Sequence, residues 1–89
     1  QYANPEVAED HQASILQCCR HSLRVGTPSE QYASCRVMEA LAVLVADENY
    51  YNDVQGHLTR MITAAHRAVP VRIAALRALG MAVYMGVED

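Results

Sequence analysis

The sequence predicts an all-α fold of about four antiparallel helices arranged as two helix pairs, and three observations predict it. Apolar residues recur at three- and four-residue spacing along most of the chain. Helix start and stop signals divide it at short intervals. No segment alternates in strand fashion, and no Asn-Gly hairpin turn occurs. At 89 residues the chain is read as one domain, residues 1–89, because domains cluster near ~100–150 residues.

The first helix opens at Asn4-Pro5, a cap followed by proline at the first helical position. Glu6, Glu9 and Asp10 place negative charge at the positive end of its dipole. Ala8, His11, Ile15, Cys19 and Ser22, flanked by Leu16 and Leu23, form its apolar face. Arg20 and Arg24 occupy the last turns, and Gly26 stops the helix. The second helix opens on Thr27-Pro28-Ser29-Glu30, the pattern of a capping box. Its stripe is Ala33, Val37, Ala40, Leu41 and Leu44, running into Asp47-Glu48-Asn49.

The third helix begins near Asn49 or Asn52, with Val54, Leu58, Met61, Ile62 and Ala65 on one face. The fourth runs from Val69-Pro70 to Gly86 and is apolar nearly all round, so it needs cover on most sides. Gly80 in its middle costs about 1 kcal/mol relative to alanine, which points to close approach of a neighbouring helix.

An internal echo joins the halves. Sliding the chain by 41 residues lays Ala33 on Ala74, Arg36 on Arg77, Met38 on Leu79 and Asp47 on Glu88. A period near ~40–47 with two or three helices per unit is the signature of armadillo and HEAT repeats. In such an array the next repeat covers the inner helix. The chain therefore reads as a segment of a longer solenoid, and its apolar last helix as a surface for self-association.

A family resemblance follows from particular stretches. Ser29-Glu30-Gln31 with the Ala-rich run to Leu44, Gly56-His57-Leu58 through Ile62, and above all Val69 through Gly86 resemble the interferon-related developmental regulator family. The resemblance spans roughly residues 12–89. It implies an armadillo-like N-terminal domain in an intracellular regulator without enzymatic activity. It further implies translational silencing through ribosome association, or transcriptional co-regulation, in the cytoplasm, the nucleus or both. The chain is far shorter than the family's usual length, so nothing from the family's C-terminal portion carries over.

Composition narrows the function classes. A hydrophobic fraction of 52% excludes a disordered tail, and three cysteines without framework spacing exclude a disulfide-knotted miniprotein. Free thiols in a reducing compartment are the better reading. A net charge of −3 argues against a domain whose whole surface binds nucleic acid. Its distribution says more. All seven basic residues are Arg, and Arg60, Arg67, Arg72 and Arg77 fall within residues 54–87, which contain no acid. Arg60 and Arg67, seven apart, are expected to share a helix face as part of a ridge facing a protein partner, the ribosome or its RNA. Tyr50 and Tyr51 are either interface anchors or a staple between the third and second helices.

No nucleophile–base–orienter set or phosphate-cradling glycine loop occurs, so no catalysis, cofactor or small-molecule substrate is expected. The densest apolar runs, of about ten residues, fall short of the ~20 needed to span a bilayer. Two alternatives remain. One is a generic adaptor solenoid without a ribosome link. The other is a small metalloprotein using His11, Cys18 and His21, a set that lacks a fourth ligand for structural zinc.

Overall fold

The computed structural model describes the backbone of residues 5–87 and the side chains from Asp10 onward. The expected Asn4 cap lies outside the described residues, as do the side chains of Glu6 and Glu9. Four helices follow in order: α1 Pro5–Val25, α2 Pro28–Val45, α3 Glu48–Thr63 and α4 Val69–Gly86. Among the described residues there is no strand.

Local chemistry sets the boundaries. The Thr27 hydroxyl accepts from the Glu30 backbone N–H at 3.2 Å, and the Glu30 carboxylate accepts from the Thr27 N–H at 2.8 Å. Two donors that a helix start leaves without partners are thus satisfied reciprocally. At the far end of α2 the chain reverses through Ala46, whose φ of 48° is left-handed. Asp47 then caps α3, accepting from the Asn49 N–H at 2.7 Å. That helix ends at Thr63, and α4 occupies the span expected from sequence.

The packing separates a solenoid from a closed bundle. α4 packs extensively on both α2 and α3, and α1 lies on α2, while α2 and α3 barely touch. Tyr32 and Arg36 of α2 line a groove with Pro70, Ile73 and Arg77 of α4, and Glu39, further along α2, meets Arg77 at its far end, so these helices run parallel. α1 and α3 are parallel too, with Ala13, Leu16 and Arg20 beside Asn49, Tyr50 and Asp53. In an up-down bundle α2 and α4 would sit on a diagonal. Here they are neighbours. Two antiparallel hairpins lie side by side as a slab of principal extents 42 × 30 × 17 Å, the stacking mode of helical repeats.

Met38, Val54, Leu58 and Val71 are fully buried at the centre, each contributing about 1.5–3 kcal/mol relative to exposure. Ala74, Ala75, Ala78 and Ala82 bring α4 close to its neighbours. The inward faces differ from the sequence reading in several places. On α2 the buried side chains are Gln31, Ser34, Cys35, Met38, Leu41 and Ala42. Of the expected stripe only Leu41 is buried; Ala33, Val37, Ala40 and Leu44 are exposed. Gln31 is tolerated inside because its amide donates to the Leu23 carbonyl at 3.3 Å. α1 buries Leu16, Cys19 and Leu23, while His11 and Ile15 face outward. Ala65, past the end of α3, is exposed as well.

The repeat is clearer in burial than in letters. The inward residues Gln31, Ser34, Cys35, Met38 and Ala42 recur forty positions later as Val71, Ala74, Ala75, Ala78 and Ala82. The 41-residue shift had paired exposed Ala33 with buried Ala74, thus joining different faces. Two expectations about α4 change with this. Several of its large side chains are not covered: Ile73, Leu76, Val83 and Tyr84 are exposed, because mostly alanines, with Val71, face the core. Gly80 touches nothing, as a Cβ built there meets no atom within 4 Å. By length and composition α4 could cross a membrane, with a mean hydropathy of 1.3 over Val69–Gly86; counting ten-residue runs understates it.

Candidate functional site

The residues expected to form a partner-binding ridge are spread over separate settings. Arg60 projects from α3 into solvent. Arg67 lies past the end of that helix, so the two share no helix face. Its Nε is enclosed without a hydrogen-bond partner. Arg72 donates through Nε to the Ile62 carbonyl at 2.9 Å, tying α4 to α3. Arg77 stands 3.9 Å from Glu39, which also lies 4.0 Å from Arg36.

Tyr50 and Tyr51 resolve toward the staple. Tyr50 is 5% exposed, and its hydroxyl donates to the Met38 carbonyl at 2.6 Å. Burial, reinforced by Cys19 and opposed by Arg20, pushes this phenol well above its ordinary value. Tyr51 is half-buried against the core. Tyr50 therefore has no surface to offer a partner.

The metal alternative finds no support. Among the described residues no three His, Cys, Asp or Glu side chains are grouped to hold an ion. His11, Cys18 and His21 are all exposed. The other two cysteines are buried, and burial pushes the Cys35 thiol up to about 11. Burial also raises Cys19, against a lowering hydrogen bond with Ser34.

A different basic constellation arises where α1 and α3 run side by side. Arg20 reaches from α1 to the Asp53 carbonyl of α3 at 3.4 Å. One turn further along each helix come Arg24 and His57. The Arg24 guanidinium lies 3.4 Å from His21 Nδ1, and that of Arg60 lies 3.1 Å from His57 Nδ1. Partial burial lowers the His57 pKa, and the positive charges of Arg60, Arg20 and Arg24 lower it further. Three guanidinium groups thus share one field. Among the described residues the ion pairs are those of Glu39 with Arg36 and Arg77, so Arg20, Arg24 and Arg60 have no carboxylate within pairing distance.

This α1–α3 seam can do specific chemistry. Guanidinium forks recognise phosphate or carboxylate oxygens through two parallel hydrogen bonds, and they stay charged at any physiological pH. Sequence reasoning placed Arg20 and Arg24 only as charges in the last turns of α1. Their spacing of four was visible, but their alignment with His57 and Arg60 depends on the parallel stacking of alternate helices.

The family model described as Interferon-related developmental regulator (IFRD) matches residues 1–89, the whole chain. The chain belongs to that family. The match extends the resemblance through the first helix, and the residues of the seam and of the α2–α4 layer all lie within the matched range. Neither a curated protein nor a solved structure matches the chain. In this IFRD chain, then, the seam is assigned by its geometry alone.

Proposed function

We propose that this IFRD chain is a non-enzymatic docking scaffold whose α1–α3 seam grips the phosphate backbone of RNA, acting in translational silencing on the ribosome. The observation that carries the reading is the triad Arg20, Arg24 and Arg60 around His57, without acidic counter-ions among the described residues. A net charge of −3 confines attraction for RNA to such a patch instead of the whole surface. The setting is cytoplasmic, and the ligand is a macromolecule rather than a small substrate. Transcriptional co-regulation in the nucleus would use the same seam on an acidic protein segment, and the test below separates the two.

Fluorescence anisotropy with a short structured RNA and with an acidic peptide provides that test. RNA affinity is expected to fall with salt along a log–log slope of about −0.7 to −0.9 per phosphate neutralised. The double variant Arg24→Glu/Arg60→Glu should abolish RNA binding and co-sedimentation with ribosomal particles, while Arg77→Gln on α4 leaves both intact. If RNA binding is indifferent to the seam, or the acidic peptide binds it more tightly, the ribosomal reading fails. An adaptor with no ribosome link would show neither interaction.

A further inference from the structure

One exposed surface is independent of the seam and of the function proposed for it. Along α4, Val69, Ile73, Leu76, Gly80, Val83 and Val87 follow alternating steps of four and three, the a/d pattern of a coiled-coil seam. All six are exposed, with Leu76 at 57% and Ile73 at 53%. At its middle Gly80 has open space where a side chain would stand. A glycine there weakens the helix and serves no contact within the chain. It leaves a gap one side chain deep, one turn from an exposed leucine.

We infer that a second copy of this chain covers that face, the two α4 helices crossing antiparallel so that Leu76 of each fills the gap at Gly80 of the other. The same register sets Ile73 opposite Val83 and Val69 opposite Val87, so all six positions are used in one closed, two-fold arrangement. Charge agrees with it. Arg72 flanks the face toward its N-terminal end on the side of α3, where it is bonded to Ile62. Glu48, at the start of α3, lies beside Val83 and Gly86 at the other end. Antiparallel pairing about a two-fold axis brings the α3 sides together end to end, placing Glu48 of one copy toward Arg72 of its partner. On the opposite flank Arg77 arrives with its own counter-ion, Glu39. A parallel pairing would put the α3 sides on opposite flanks, so that Glu48 of one copy and Arg72 of the other would not meet.

Sedimentation equilibrium of the purified chain, from low micromolar to submillimolar concentration, tests the inference. A monomer–dimer equilibrium is expected, with no larger species. Leu76→Glu should weaken it roughly a hundredfold with an unchanged helical spectrum, because the side chain is exposed in the single chain. Gly80→Leu should also disrupt the dimer, yet melt no earlier than the parent, since the gap is open. In a Cys18→Ser background, mixing Leu76→Cys with Gly80→Cys chains should yield the mixed disulfide in preference to either homodimer. A monomer throughout, open-ended oligomers, or a dimer that tolerates both single variants would overturn it. RNA binding by the seam is unaffected by either result.

Discussion

The Tyr50 hydroxyl donates a 2.6 Å hydrogen bond to the Met38 carbonyl, joining the first turn of α3 to the middle of α2 across the buried centre. α2 and α3 otherwise touch little. The phenol is thus a direct polar tie between α2 and α3, added to the α2–α4 packing that holds the two hairpins together. Tyr50→Phe keeps the ring and loses the bond, and is expected to cost about 0.5–1.5 kcal/mol. Tyr50→Ala also opens a cavity and should cost about 3–5 kcal/mol. Urea denaturation distinguishes them; an equal loss for both would show that the hydroxyl, and not the ring, carries the staple.

Two glycines should respond to alanine with opposite sign. A Cβ on Gly26 would stand 2.6 Å from the Ser22 carbonyl oxygen, a backbone atom that cannot swing aside. Gly26→Ala is therefore expected to lower the melting temperature. Gly80→Ala meets no obstacle and should raise the stability of the dilute, monomeric chain by about 0.5–1 kcal/mol.

Ala46 ends α2 with a φ of 48°, where a Cβ crowds the following carbonyl at a penalty of roughly 1–2 kcal/mol. Ala46→Gly should relieve part of that and raise thermal stability. Its N–H still bonds to the Ala42 carbonyl. A drop in melting temperature would mean that the glycine's added freedom in the unfolded chain outweighs the strain.

His57 makes the fold acid-sensitive. Its folded pKa lies below the ordinary 6.5, so at pH values under 6.5 the unfolded chain binds more protons than the folded one. Stability then falls as pH drops through that window. His57→Gln should flatten this part of the pH profile. An anion on the seam offsets the nearby positive charge, so its binding should take up a proton in the same window, measurable as buffer-dependent heat in calorimetry.

The thiols should divide by exposure. Cys18 is at the surface, while Cys19 and Cys35 are buried with raised pKa values. An aromatic disulfide reagent is expected to modify one thiol in the native chain and three in denaturant. Rapid native modification of all three would contradict the packing of α1 on α2.

Helix existence was legible because it rests on local chemistry. The capping box at Thr27 and Glu30 formed as its letters suggest, and α4 has the bounds its prolines and glycines mark. The inward face of α2 was not legible. Apolar residues surround that helix, and two of its buried positions, Gln31 and Ser34, are polar, so periodicity pointed to Ala33 and Leu44 instead. The Arg ridge failed for a related reason. Seven-residue spacing aligns Arg60 with Arg67 only if the helix continues, and it stops at Thr63. The seam that replaces it draws on residues over thirty apart, which meet only once the hairpins are stacked.

The forty-residue recurrence of inward positions has an evolutionary side. A chain built this way can gain or lose whole hairpins while every interior contact class is kept, provided the change comes in steps of forty. Insertions of any other length are confined to the corners at Gly26, Ala46 and Ala64–Ala68. Within a helix a single added residue rotates all that follows by about 100°, turning Met38 or Ala78 outward and bringing Val37 or Arg77 into their place at the centre. Length variation among such chains should therefore be quantised, and its remainders should collect at the three turns.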